Sequence, residues 1–323
     1  MISASAFKPA TGLGNRHVQT LLPALGLVDT PEPPVRREIF PLPDDDSLAL
    51  DWLDAEAAPD APLLLILHGL EGSSRSSYAR CLLDRAHACQ WRAVVMNFRD
   101  CGDHRNRLPR RYHAGETGDV EYLTAALHDR FPNAPLLGAG FSLGGNVLLK
   151  HLGESPHATH FRAAVAVSVP FELQGASDAI SKGFSKLYQW HLMRNMKMAL
   201  RRKFSVQSAS FDLESALKTR TFEQFDDMVT APLHGFAGKT EYYAKCSSRQ
   251  FLRTIERPTL IVHASDDPFM TTAMIPTADE LSGAVKLELS PTGGHVGFIE
   301  GRWPRRLRYW LPERLMTFLA AQA

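Results

Sequence analysis

A serine flanked by glycines, Gly140-Phe141-Ser142-Leu143-Gly144, stands directly after a short apolar run and directly before a helical pattern. A serine on such a strand-to-helix turn is held in a strained backbone conformation with its hydroxyl exposed. The glycines two residues either side are needed because a Cβ there would strike the neighbouring strand or helix. A hydroxyl is a poor nucleophile near neutral pH until a base takes its proton, and that base needs a third group to hold its tautomer. Candidates for both roles follow in the chain. Ser265-Asp266-Asp267-Pro268 comes just after an apolar run ending at His263, and Gly293-Gly294-His295-Val296-Gly297 just after another ending near Ser290. Nucleophile, carboxylate and histidine in that order, each after its own expected strand, point to acyl transfer with Ser142 attacking and His295 as base. Adjacent aspartates point in different directions, so only one can meet the imidazole. Asp266, nearer the strand end, is expected to orient His295, with Asp267 a loop cap or supporting acceptor; the reverse assignment is the alternative.

Acyl transfer also builds negative charge on a carbonyl oxygen and needs N–H donors aimed at it. One is expected from Leu143, the residue after the nucleophile, and the other from the loop after an early strand. That loop reads His68-Gly69-Leu70-Glu71-Gly72-Ser73-Ser74. Leu70 is the candidate second donor, and His68 is read as a brace for the loop. The glycines around Ser142 also resemble a dinucleotide fingerprint, but the run does not open the fold and no acidic residue follows about 20 residues on to bind a ribose. Nor do the 13 histidines show H-E-x-x-H or comparable spacing, so neither a cofactor nor a metal is expected.

The elements that must position these residues can be read from periodicity. Arg36 to Leu42 and Ser47 to Leu53 alternate polar and apolar residues around Asp44-Asp45-Asp46, as in an antiparallel hairpin with one wet face. Leu63 to Leu67, Ala93 to Asn97, Leu136 to Gly140, Ala163 to Val167 and Leu260 to His263 are continuous apolar runs, most of them separated by amphipathic segments of helical length. Strands of this kind are buried on both faces of a parallel sheet. Val285 to Ser290 reads as a further strand and Leu311 to Ala320 as a closing helix. The stretch before about Pro34 reads as an irregular arm along the outside of the core. Between Pro170 and Cys246 the strand rhythm stops and the chain becomes helical. The expected architecture is therefore α/β: a mostly parallel twisted sheet with helices on both faces, an N-terminal antiparallel hairpin and an inserted helical cap. Residues 1–169 and 247–323 would form the core and 170–246 the cap. Within the cap, Ala179 to Lys203 is read as helix, with Ile180, Phe184, Leu187, Tyr188, His191, Leu192 and Leu200 on one face and Lys182, Lys186, Lys197 and Arg201 largely elsewhere. That face is expected to pack on the core; the alternative is a basic lid in peripheral contact with lipid.

The composition limits the function classes. The chain has 323 residues, 44% of them hydrophobic, and a formal net charge of +1, which offers no global attraction to nucleic acid. Cys81, Cys89, Cys101 and Cys246 lack C-x-x-C spacing and read as free thiols in a reducing compartment. The start, Met1-Ile2-Ser3-Ala4-Ser5-Ala6-Phe7-Lys8-Pro9, has no basic region followed by an apolar run. A cytoplasmic protein is expected, its oligomeric state left open.

Further motifs resemble the α/β-hydrolase superfamily, and within it the YheT-like branch, also called AB-hydrolase family 4. These are Asn15-Arg16-His17-Val18-Gln19-Thr20, His68-Gly69-Leu70-Glu71-Gly72-Ser73, Asn97-Phe98-Arg99 with Asn106-Arg107, and Tyr112-His113-Ala114-Gly115-Glu116-Thr117. The likeness continues through Gly140 to Asn146, Asp266-Asp267-Pro268-Phe269 and Gly293-Gly294-His295-Val296-Gly297-Phe298, so it covers nearly the whole chain. It implies an α/β-hydrolase fold and hydrolysis of carboxylic esters, with eukaryotic relatives acting on acylglycerols or phospholipids. One departure is Asp100, where similar proteins carry glycine; aspartate tolerates a left-handed backbone better than most residues. Arg99, Arg105, Arg107, Arg110 and Arg111 are read as a brace for the site, with a solvated loop and a phosphate-binding patch as alternatives. The expected activity is a serine esterase acting on short- to medium-chain acyl esters or acylglycerol-like lipids. An acyltransferase with the same triad, or a non-catalytic binding protein on a hydrolase scaffold, are the competing readings.

Overall fold

The computed structural model describes residues 1–53, 57–302 and 307–323. Among the described residues, nine strands form one sheet: β1 (Ile2–Ala4), β2 (Arg36–Pro41), β3 (Ser47–Leu53), β4 (Leu63–Leu67), β5 (Arg92–Asn97), β6 (Leu136–Phe141), β7 (Ala163–Val167), β8 (Thr259–Ala264) and β9 (Val285–Ser290). Their spatial order is β1-β9-β8-β7-β6-β4-β5-β3-β2. From β1 to β5 in that order the neighbours are parallel; β3 joins β5 antiparallel and β2 joins β3 antiparallel, giving the expected hairpin, but only β2 has a wet face, since β3 lies between two strands and is buried along nearly its whole length. A small antiparallel pair, β10 (Ile299–Gly301) and β11 (Leu307–Tyr309), lies apart.

The helices are α1 (Arg16–Ala24), α2 (Ser77–Ala88), α3 (Gly118–Arg130), α4 (Leu143–Glu154), α5 (Leu173–Ile180), α6 (Ser185–Lys203), α7 (Leu213–Lys218), α8 (Phe222–Phe225), α9 (Ala231–Leu233), α10 (Lys239–Cys246) and α11 (Leu311–Ala320). Why the strands read as continuous apolar runs is visible in β4. Leu63, Leu65 and Leu67 pack in a core with Val120, Leu123 and Val147 of α3 and α4. Leu64 and Ile66 point the other way, into a core with Leu82 of α2 and Leu315 of α11. With no solvent face, a strand has no polar alternate positions, and each buried leucine contributes roughly 1.5–3 kcal/mol.

The chain runs from β4 outward to β5, then crosses back over β4 to start β6. At this reversal of direction the loops that follow β4 and β6 emerge side by side at the carboxyl edge, where open α/β sheets form their crevice. Leu70 and Ser142 lie on those loops.

Two expectations need correction. The N-terminal arm is not irregular: β1 extends the sheet beside β9, and α1 follows with Asn15 as its cap, its side chain accepting from the N–H groups of His17 and Val18. A strand this short has no periodicity to read; main-chain bonding to an open sheet edge makes it. The Ala179–Lys203 helix is in fact broken between α5 and α6, where Gly183 takes φ 52°. The break rotates the expected face. Tyr188 and Leu200 are buried, but Phe184 and Leu187 are about half exposed, as is Trp190. The buried side of α6 is instead Tyr188, Met193, Met196, Ala199 and Leu200. Met193, Met196 and Leu200 share a core with Leu213, Phe225 and Val229 within the β7–β8 connection. Among the described residues no helix is long and apolar enough to cross a membrane.

Candidate active site

Ser142 caps α4 with φ 51° and ψ −118°, a conformation that costs a non-glycine residue energy and persists only where its surroundings hold it. Its N–H donates to Val167 O of β7 at 2.9 Å. Close packing explains the glycines: a Cβ on Gly144 would lie 2.4 Å from the carbonyl oxygens of both Leu67 and His68, and one on Gly140 would lie 2.6 Å from Gly144 O. The helix can start this close to β4 only because neither residue has a side chain.

His295 Nε2 is 2.9 Å from Ser142 Oγ, and its Nδ1 is 2.9 Å from Asp267 Oδ2. Asp267, not Asp266, meets the imidazole. A tight turn in which Asp267 N–H donates to Ala264 O at 3.1 Å follows β8 and carries Asp266 to its outer corner. Asp267 thereby returns inward and is buried, its Oδ1 accepting from Phe269 N–H at 2.8 Å. Asp266 serves the histidine loop through its side chain, its Oδ1 accepting from Gly294 N–H at 3.0 Å, and burial raises its carboxyl above the ordinary range. Being nearer the strand end along the chain is thus not being nearer the histidine in space. With Nδ1–H directed at a carboxylate, the imidazole presents a lone pair on Nε2 to the serine hydroxyl.

Residues outside the expected set hold His295. Thr20 Oγ1 accepts its backbone N–H at 2.9 Å, and Ser168 Oγ accepts that of Val296 at 3.0 Å. Gln19 spans the loop from α1, donating to Leu13 O and Ile299 O and accepting from Ile299 N–H. Phe269 stacks on the imidazole at 4.0 Å between centroids with 8° between the planes. The Asn15–Thr20 run carried a signal for Thr20 and Gln19; nothing in the pattern around Ser168 marked it.

The loop after β4 is pinned on both sides of Leu70. Gly69 N–H donates to Tyr78 OH at 2.8 Å and Glu71 N–H to Tyr112 OH at 2.7 Å, while Tyr112 OH donates to Glu71 Oε1. His68 is a brace: Nδ1–H donates to Gly69 O at 2.7 Å and Nε2 accepts from Phe98 N–H at 3.1 Å, and burial lowers its pKa to about 4. Leu143 opens α4, where a backbone N–H has no partner within the helix. Among the arginines of the 99–111 loop, Arg99 grips Asp119 with two hydrogen bonds and Asp44 with a third contact, Arg110 pairs with Glu116, and Arg111 pairs with Glu71 at 2.9 Å. These groups are spent on internal carboxylates, which fits the brace. Asp100 takes φ 64°, the left-handed turn that glycine would otherwise supply, and its carboxylate receives Lys203 of α6 at 2.7 Å.

Ser142 and His295 open onto a cavity whose walls are mainly apolar, including Leu70, Leu143, Ile180, Leu192 and Met196, with one further carboxyl, Asp226. Beyond it, His113, Glu116 and His234 each place a potential ligand atom within 4.8 Å of the others, a grouping of distant residues that spacing did not reveal. Glu116 there already receives Arg110 at 2.6 Å, and His113 Nδ1 accepts from Gly115 N–H.

Residues 62–302 match the family described as an alpha/beta hydrolase fold. YheT of Escherichia coli (strain K12) is 39% identical over 99% of this chain and 96% of its own. The chain belongs to the α/β-hydrolase family. Other relatives of this α/β hydrolase are Phospholipase ABHD3 of Mus musculus, 31% identical over 87% of this chain and 71% of its own, and Monoacylglycerol lipase of Saccharomyces cerevisiae, 34% identical over 88% and 63%. The solved esterase Pf2001 of Pyrococcus furiosus shares the fold, with a TM-score of 0.59 and 16% identity over 91% of this chain and 97% of that one. In this α/β hydrolase the serine, aspartate and histidine follow β6, β8 and β9, all at one sheet edge.

Proposed function

We propose that the protein is a serine esterase that cleaves carboxylic esters, including lipid esters, through an acyl-enzyme on Ser142. The observation that carries this reading is the chain of hydrogen bonds from Ser142 through His295 to buried Asp267, facing an apolar cavity. Ser142 Oγ attacks the ester carbonyl carbon as its proton passes to His295 Nε2. Asp267 holds the imidazole in the required tautomer and stabilises its cation without taking the proton. The carbonyl oxygen, now negative, lies against the N–H groups of Leu143 and Leu70; the loss of one such donor costs about 2.7–4 kcal/mol of transition-state stabilisation. As the intermediate collapses, the carbon–oxygen bond to the alcohol breaks and His295 gives its proton to that oxygen. Water then attacks the acyl-enzyme with His295 again as base, releasing the acid and restoring Ser142. The apolar cavity suits an acyl chain, and relatives named phospholipase and monoacylglycerol lipase support lipid esters as a substrate class.

The test is a panel of p-nitrophenyl acyl esters together with labelling by a fluorophosphonate. Wild-type protein should turn over part of the panel and label on Ser142. Ser142→Ala should lose turnover by at least ~10³-fold and lose the label while unfolding at the same temperature. A wild-type protein inert to every ester and to the fluorophosphonate would overturn the reading.

A further inference from the structure

Asp226 is the unusual group in the cavity. It begins a π-helical turn, Asp226–Thr230, between α8 and α9, a rare arrangement that is frequent at functional sites. Its Oδ1 accepts from Thr230 Oγ1 at 2.6 Å and its Oδ2 from Tyr243 OH at 2.8 Å. Among the described residues no lysine, arginine or histidine forms an ion pair with it. Burial raises its pKa to about 6, so near neutral pH it stands mostly ionised in an apolar wall. An ionised carboxylate has about four acceptor sites, so two hydroxyls leave it half satisfied, and burying an undersatisfied charge is costly.

Next to it on the same wall is Ser177 of α5. Its Oγ is buried beside Tyr243 yet makes no hydrogen bond of acceptable geometry with any described residue. Tying the π turn to α10 would account for the Tyr243 contact, but not for a second, unpartnered hydroxyl buried in the same wall. An acceptor-only carboxylate and an orphaned serine hydroxyl together complement a group that both donates and accepts.

We propose that Asp226 and Ser177 form a polar subsite that receives a free hydroxyl of the ester substrate. The hydroxyl would donate to Asp226 and accept from Ser177 Oγ–H, completing both. The inference rests on the esterase reading above and narrows it to hydroxyl-bearing esters. Either part of such an ester could carry the hydroxyl: the alcohol, as in a monoacylglycerol, or the acyl chain, as in a hydroxy-acid ester.

The experiment compares kcat/KM for a 1-monoacylglycerol, the methyl ester of a hydroxy acid of the same chain length, and the plain methyl ester, in wild type, Asp226→Asn and Ser177→Ala. Asparagine keeps the shape and can still bond Thr230 and Tyr243. In Asp226→Asn the preference for one hydroxylated ester over the plain ester should fall by ~10-fold or more, and in Ser177→Ala by a smaller factor in the same direction. Which hydroxylated ester loses its advantage tells which part of the substrate carries the group. If both variants change all three esters by one common factor, or change none, the subsite is overturned and Asp226 is a structural tie. Plain-ester turnover by wild type that disappears in Ser142→Ala keeps the esterase reading intact in that event; no turnover of any ester by wild type sinks both.

Discussion

The carboxyl edge of the sheet and the connection between β7 and β8 build opposite sides of one cavity by different means. At the sheet edge, positions are set by hydrogen bonds that hold backbone N–H groups: Ser142 by its bond to Val167 O with the glycine contacts around it, His295 by the Thr20 hydroxyl, and the Leu70 loop by the Tyr78 and Tyr112 hydroxyls. In the connection, positions are set by side-chain packing of Met193, Met196, Leu200 and Phe225, and its polar feature is a carboxyl held by two hydroxyls. Backbone hydrogen bonds fix atoms closely enough for a proton to pass between them. Apolar packing tolerates changes of shape and volume, which suits a wall that selects among chains.

Replacement of the adjacent aspartates has the largest expected effect at the sheet edge. Asp267→Asn should lower kcat on a p-nitrophenyl ester by on the order of 10⁴-fold, because an amide no longer enforces the required tautomer. Asp266→Asn keeps an acceptor for Gly294 N–H and should fall by no more than about 10-fold. Reversed magnitudes would return the histidine to Asp266.

Acid tests both sides together. Burial lowers the pKa values of His68, His151 and His263 to about 4, and those of His113 and His234 to about 3. Each is neutral in the fold, whereas in the unfolded chain it takes a proton below about 6.5. Between those values the unfolded state binds more protons, so the stability these groups contribute is complete above pH 6.5 and is lost as pH falls through 4 and towards 3. The melting temperature should therefore drop progressively from pH 6.5 to pH 4 in a calorimetric series. A flat profile would contradict the neutral, buried histidines.

The mildest perturbation probes the packed wall. Leu192 is half-buried on the cavity side of α6, and Leu192→Phe should move the optimum of a p-nitrophenyl ester series towards shorter acyl chains by a few-fold in relative kcat/KM. The melting temperature should stay within a few degrees. A uniform loss across chain lengths would mean that the wall positions the reacting groups as well as the chain.

Much of the sheet edge is legible in the chain alone. Runs such as Leu63–Leu67 and Ala163–Val167 are apolar at every position because both faces are covered, and that pattern survives in one dimension. The glycines at 140 and 144 announce a close approach of backbone to backbone. The choice between Asp266 and Asp267 was not legible, since a tight turn inverts which neighbour faces inward. The apolar face of Ala179–Lys203 differs for a related reason: a break at Gly183, φ 52°, interrupts a helix that periodicity continues, and Phe184 and Leu187 turn outward while Tyr188 and Leu200 stay buried. Asp226 gave no signal, because a buried carboxyl and a solvated one are written with the same letter.

The parallel strands, the serine turn and the order of serine, acid and histidine are written in the chain, because these depend on local backbone sterics and on burial of contiguous residues. Folding settles which aspartate meets His295, that Thr20 anchors the histidine loop from 275 positions away, and that Asp226 stands in the wall of the cavity. Those contacts join residues far apart in the chain, and their partners exist only once the sheet has closed and the helices between β7 and β8 have packed against its edge.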